Sequence, residues 1–159
     1  MSDRLSTIQD LLADLYEQLA GQERAKVRAE DAQKVRIQQQ IRDSWTEIRS
    51  YESEYVLTLS QQVQRQDLPE PIAEVVKGEI IDAVEILAPL EKRDEVKTLL
   101  NEILVELRKP DVPASAKLKI AIPIIPNVVS YELEGDTETV VRRLFPTFVK
   151  VYEALTPKK

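Results

Sequence analysis

The sequence of 159 residues contains no cysteine and no histidine. Without cysteine there is no disulfide, no thiol nucleophile and no zinc–thiolate site, and this absence fits the reducing environment of the cytoplasm. Without histidine, the commonest general base and the commonest metal ligand are also missing. We therefore predict no catalytic residue, no metal ligand and no bound cofactor, and we expect a protein that is not an enzyme.

Other features are scarce as well. The three glycines, Gly21, Gly78 and Gly135, lie too far apart to form a phosphate-binding loop. A net charge of −6 counts against nucleic-acid binding, which usually shows as a basic patch. There is no apolar run of about 18 residues, and the N-terminus, "MSDRLSTIQD", lacks the pattern of a signal peptide. We expect a cytoplasmic protein with no nucleic-acid partner and no membrane span.

The composition changes near residue 67. All eleven glutamines lie before this point, and all nine prolines lie after it. The boundary reads "QDLPEP", in which two prolines interrupt any continuing helix. We predict two domains, residues 1–66 and residues 67–159.

The first half is predicted to form an antiparallel coiled-coil hairpin. Apolar residues recur at spacings of three and four in two stretches separated by "GQERAKVRAEDAQ", where the pattern is lost. The first seam is Leu5, Ile8, Leu12, Leu15 and Leu19, and the second is Ile37, Ile41, Ser44, Ile48, Tyr51 and Tyr55. The turn is expected around Arg28–Asp31, with Asp31 capping the second helix.

A two-helix hairpin leaves apolar and aromatic side chains outside its seam. Leu11 and Tyr16 on the first helix, and Trp45 on the second, are in this position. They either pack on the second half of the same chain or form an interface with a second copy or a partner helix. Tyr51 and Tyr55, near Trp45, are further candidates for core packing, an interface or a small pocket.

The second half begins with two amphipathic helices. The first, starting in "PEPIAEVV", should end at Pro89, and the second, in "RDEVKTLL", should end at Pro110. A short connection predicts that they pack antiparallel to form a small helical bundle.

Residues 117–134, "KLKIAIPIIPNVVSYELE", are predicted to form a β-hairpin. Apolar and polar residues alternate on both sides of "PIIPN", which supplies the residues of a turn. Ile122, Ile124, Ile125 and Tyr131 are the candidate interface residues of this ribbon. A last helix, about residues 137–155, is predicted to have Asp136 as its N-cap, with its two phenylalanines, Phe145 and Phe148, anchoring the ribbon.

Two segments resemble a known class of protein region. They are "LYEQLAGQERAKVRAEDAQKVRIQQQIRD" and "KLKIAIPIIPNVVSYELEGDTETVVRRLFPTFVKVYEAL". Together they resemble accessory helical regions of bacterial, especially cyanobacterial, multidomain signalling proteins, which look like adaptors beside NTPase modules or caspase-like and TIR-like effectors. Nothing in this chain matches a phosphate-binding loop or a Cys/His dyad. The resemblance therefore implies an adaptor or tether, and it carries over no catalytic residue.

The predicted fold is mainly α, with an N-terminal antiparallel coiled-coil hairpin and a small helical bundle that carries one β-hairpin. The predicted function is a non-enzymatic protein-interaction or oligomerisation module that binds a protein partner or a second copy of itself. The alternative is a sensor of a small ligand or lipid, with an apolar pocket between the β-hairpin and the C-terminal helix.

Overall fold

The computed structural model describes residues 3–131 and 139–156. In these two ranges the chain is mainly helical, as predicted, and no residue lies in a β-strand. Short 3₁₀ turns follow the third helix at Ala88–Leu90 and the fifth at Ile122–Ile124. The α-helices are α1 (Asp3–Arg28), α2 (Asp31–Arg65), α3 (Glu70–Leu87), α4 (Asp94–Leu107), α5 (Ala114–Ala121), α6 (Ile125–Tyr131) and α7 (Val140–Leu155).

Helices α1 and α2 form the predicted antiparallel hairpin. Arg4, near the start of α1, contacts Glu54 in the second half of α2, whereas Lys26, near the end of α1, contacts Gln38 near the start of α2. The two helices therefore run antiparallel. The seam residues are buried except for Leu15, Ile37 and Tyr51, which are half-buried. The turn lies where it was expected, but Asp31 is the first residue of α2, and the N-cap is Glu30 in an extended conformation.

The predicted β-hairpin is wrong, because residues 114–131 form α5, a 3₁₀ turn and α6. The apolar residues of this segment also recur at spacings of three and four, and it is this helical set that is buried. Pro123 is the second residue of the 3₁₀ turn, and Pro126 is the second residue of α6. At these positions a missing amide hydrogen costs no helical hydrogen bond. The buried set is Leu118, Ala121, Ile122, Ile125, Val128 and Val129. Residues 132–134 of the predicted ribbon lie outside the described residues.

Helix α7 packs on the hairpin through its phenylalanines. Phe145 meets the ring of Tyr16 edge-on, with centroids 5.1 Å apart, and both Phe145 and Phe148 lie near Tyr55. The two phenylalanines therefore pack on α1 and α2, whereas the β-hairpin that they were predicted to anchor is helical in the structure. Asp136, the predicted N-cap, lies outside the described residues. The structure has Thr139 as N-cap of α7, and its hydroxyl oxygen accepts a hydrogen bond from the Arg142 amide at 3.1 Å.

A single hydrophobic cluster includes buried side chains from both sides of residue 67. Helix α2 contacts α5, α6 and α7 as well as α1, while α3 packs against α4, α5 and α7. The ends of the shorter helices are joined by polar contacts, such as the Glu70 carboxylate of α3 accepting the Ala114 amide of α5 at 2.6 Å. The division into two domains at residue 67 stays a prediction.

Candidate functional site

A carboxyl group is buried where α1, α2 and α7 meet. The Glu52 side chain has no solvent-exposed surface. Its Oε2 accepts two hydrogen bonds, from the Tyr16 hydroxyl at 2.6 Å and from the Thr139 hydroxyl at 2.7 Å. Glu52 therefore links helices that are far apart in the sequence.

Positive charge surrounds this carboxyl group. The guanidinium groups of Arg49 and Arg142 lie 5.3 Å and 5.8 Å from the centroid of the Trp45 ring, a cation–π arrangement. Arg142 also makes two hydrogen bonds to the Glu23 carboxylate, at 3.1 Å and 3.2 Å. Within the described residues, Glu52 Oε1 and Trp45 Nε1 are buried without a hydrogen-bond partner.

Burial governs the ionisation of this cluster. It raises the pKa of Glu52 above the ordinary glutamate value, against the opposing effects of the Tyr16 and Thr139 hydrogen bonds and of the two arginines. Burial, followed by the negative charge of Glu52, raises the pKa of Tyr16 well above its ordinary value. A carboxyl group enclosed in this way is not open to a substrate, and we interpret the cluster as a structural link between the hairpin and α7.

The part of the hairpin next to its turn has a different character. We call residues 20–40 the arm. Within this fully described stretch no side chain is buried, whereas buried residues begin immediately outside it, at Leu19 and Ile41. Val27 and Val35, on either side of the turn, are 81% and 74% exposed. The arm also carries five basic residues against three acidic ones in an otherwise acidic chain: Arg24, Lys26, Arg28, Lys34 and Arg36 against Glu23, Glu30 and Asp31.

A shallow groove of about 550 Å³ lies between α4 and the α5 region. We call it the α4–α5 groove. Its apolar side chains are the exposed Val105 and Ile120 and the half-buried Ile124. Thr98, Asn101, Glu102 and Glu106 form the remainder of its lining.

A second groove, of about 500 Å³, lies between α3 and α7. Acidic residues Glu79 and Asp82 face Arg142, Arg143 and Lys150 across it. Glu79 accepts a hydrogen bond from Thr147 at 2.8 Å and forms an ion pair with Lys150. Opposite charges therefore already meet within this groove.

The structure separates the predicted interface residues into two groups. Some are buried in the core of the chain, and the others are at least partly accessible to solvent. The buried group is Tyr16, Trp45, Tyr55, Ile122 and Ile125. The accessible group is Leu11, Tyr51 and Ile124, which are half-buried, and Tyr131, which is 48% exposed.

Several residues of these surfaces were not found from the sequence. Val27 lies in the segment where the heptad pattern is lost, and Val35 lies just before Ile37, where the second seam begins, so neither valine belongs to an apolar repeat. Glu52 had a signal, because it occupies an apolar stripe between Ile48 and Tyr55 at helical spacing. Thr139 had none, since its contact with Glu52 spans 87 residues.

Comparison with protein-family models, with curated proteins and with solved structures gives no match.

Within residues 3–131 and 139–156, no helix is long and apolar enough to cross a membrane. In the same ranges, no three acidic side chains converge in a way that could hold a metal ion.

Proposed function

We propose that this chain is a non-enzymatic, cytoplasmic protein-interaction module that binds its partner through the arm. The observation that carries the proposal is the contrast between the arm and the rest of the hairpin. Residues 20–40 continue both helices beyond Leu19 and Ile41, the last fully buried residues of the hairpin. Only Ile37 among them still packs against the core as a half-buried apolar side chain, and Val27 and Val35 are exposed on either side of the turn. Such a segment adds little to the hydrophobic stabilisation of the chain, whereas it extends its reach by about 15 Å at 1.5 Å per residue.

The chemistry of the arm suits a protein partner. Arginines lie next to its exposed valines, and arginine is one of the residue types enriched at protein–protein interfaces. An adaptor of bacterial signalling or defence proteins, as the sequence resemblance implies, is the setting that we propose for this activity. The ligand-sensor alternative needed a β-hairpin as one wall of its pocket, and that segment is helical.

Site-specific photo-crosslinking tests this function. A photoreactive amino acid at Val27 or Val35, introduced into the chain in its host cell, is expected to give crosslinked protein adducts. The matched control is Val75, an exposed valine on α3 that is 51% accessible. Adducts from both tip positions and not from Val75 support the proposal. No adduct from the tip, or equal adducts from all three positions, would contradict it.

A further inference from the structure

The arm and the α4–α5 groove lie at opposite ends of α2. The arm contains the first turns of α2, which begins at Asp31. Near the other end of α2, the Gln64 side-chain amide donates a hydrogen bond to the Lys119 carbonyl oxygen at 2.5 Å. Lys119 precedes Ile120, which lines the groove. The 34 residues from Asp31 to Gln64 span roughly 50 Å at 1.5 Å per residue, so the arm of one chain does not reach the groove of the same chain.

The two ends are chemically complementary. The lining residues of the groove that the structure describes include the carboxylates of Glu102 and Glu106 and no basic side chain. Glu106 also forms an ion pair with Lys109 at 2.7 Å, while Glu102 is exposed. Between residues 26 and 36 the arm carries four basic side chains against the exposed Glu30 and Asp31, so positive charge is in excess beside its two exposed valines. An apolar and basic tip therefore matches an apolar and acidic groove.

We propose that the arm of one copy docks in the α4–α5 groove of a second copy. Val27 and Val35 cover the apolar surface of Val105 and Ile120, and Arg28 and Arg36 approach Glu102 and Glu106. This inference rests on the proposed function and names the partner as the chain itself. Because the two surfaces differ, the contact is heterologous, so repeated docking produces either a closed ring or an open filament.

The second groove does not offer the same match. Its acidic and basic side chains lie together, and Glu79 is occupied by Lys150 and Thr147. A basic tip would meet Arg142 and Arg143 there, and juxtaposed like charges are unfavourable.

Complementary charge reversal tests the contact, with sedimentation velocity as the measurement. The arm variant carries Arg28→Glu and Arg36→Glu, and the groove variant carries Glu102→Lys and Glu106→Lys. Wild type is expected to self-associate, and each variant alone to dissociate with a dissociation constant raised by more than about tenfold. An equimolar mixture of the two variants is expected to associate again, because each offers the other a complementary pair of surfaces.

The matched control carries all four substitutions in one chain and has the net charge of wild type. It is expected to associate as wild type does, which separates the effect of pairing from effects of net charge or folding. A wild type that stays monomeric at every concentration overturns the proposal, as does a mixture that stays monomeric while wild type associates. If wild type is monomeric and the tip crosslinks a different protein, this inference fails while the proposed function stands; if the tip crosslinks nothing, both fail.

Discussion

At the scale of single residues, Glu52 couples the fold to pH. Burial raises its pKa above the ordinary value of 4.5, so the folded chain binds a proton here more tightly than the unfolded chain does. The resulting contribution to the free energy of unfolding is fully present below pH 4.5. It is lost as the pH rises through the raised pKa of the folded state.

Glu52→Gln is expected to remove this contribution. The free energy of unfolding of wild type minus that of the variant should therefore increase as the pH falls from neutral towards 4.5. Urea unfolding followed by circular dichroism at a series of pH values measures the difference. A difference that stays constant, or that decreases on acidification, would count against the buried geometry of this residue.

Glu54, two residues along the same helix, provides a control of opposite sign. A hydrogen bond from Arg4 lowers the pKa of this largely accessible carboxyl group. The contribution of Glu54 to stability is therefore present above pH 4.5, and it is lost as the pH falls through the lowered pKa of the folded state. Glu54→Gln should show a change with pH opposite in direction to that of Glu52→Gln, and at lower pH.

The hydroxyl groups of two buried tyrosines allow a matched comparison. The Tyr16 hydroxyl donates a hydrogen bond to the Glu52 carboxylate at 2.6 Å. The Tyr55 hydroxyl donates one to the side-chain carbonyl oxygen of Gln9, also at 2.6 Å. Hydrogen bonds to charged groups contribute about 1.5–3 kcal/mol, and neutral ones about 0.5–1.5 kcal/mol. We expect Tyr16→Phe to lower the free energy of urea unfolding at neutral pH by more than Tyr55→Phe does. Equal losses, or a larger loss for Tyr55→Phe, would contradict a charged acceptor for the Tyr16 hydroxyl.

At the scale of elements, the burial of the apolar side chains in residues 114–131 follows a helical pattern and not an alternating one. In a strand, Leu118, Ile120 and Ile122 would lie on one face. In the structure, Leu118 and Ile122 are buried, while Ile120 is 55% exposed, as expected for a helix.

This difference gives a direct test of the segment. Ile122→Ala should lower the free energy of unfolding by about 2–5 kcal/mol, because it leaves a cavity in the core. Ile120→Ala should change it by no more than about 0.5 kcal/mol, as surface substitutions usually do. Denaturant titration of the two variants measures both values, and similar losses would favour the strand.

The same segment shows what the sequence can and cannot predict about elements. The α1–α2 hairpin was predictable because only one periodicity fits its well-separated apolar residues. In "KLKIAIPIIPNVV", apolar residues are so dense that periods of 2 and of 3.6 both fit, and the prolines suit a turn or the first turn of a helix equally well. Burial against α2 and α4 decides between them, and burial is a tertiary property.

The candidate site also contains residues that the sequence predicts and residues that it does not. The aromatic residues Tyr16 and Trp45 were identifiable as packing surfaces because they lie off the heptad seam. The partners of Glu52 were not, since they lie 36 and 87 residues away along the chain. The exposed valines near the turn have no signal in the sequence either, because they belong to no apolar repeat.

At the scale of the whole molecule, the continuous core predicts a single cooperative unfolding transition. Trp45, the one tryptophan of the chain, is buried on α2 with Arg142 of α7 near its ring, so its fluorescence follows the packing of α7 on the hairpin. Far-ultraviolet circular dichroism follows all the helices together. We expect the two signals to share one urea midpoint. Separate midpoints would indicate that residues 1–66 and 67–159 unfold as independent units.

Charge is also distributed unevenly over the whole molecule. The proposed contact joins a segment with an excess of positive charge to an acidic groove, so charge pairing is expected to contribute to it. Raising the ionic strength from about 0.01 M to about 0.1 M shortens the screening length from about 30 Å to about 10 Å. We expect self-association, measured by sedimentation velocity, to weaken over this range. Association that strengthens with salt would indicate an apolar contact without charge pairing.

The most direct measurement for the central claim, that the molecule acts through its arm, is made on a chain in which residues 24–36 are replaced by a short Gly/Ser linker. These residues bury no side chain, so the variant is predicted to keep the urea midpoint of wild type at concentrations where wild type is monomeric, and to lose association in sedimentation velocity at higher concentrations. A variant that folds as wild type does and still associates as strongly would contradict the account.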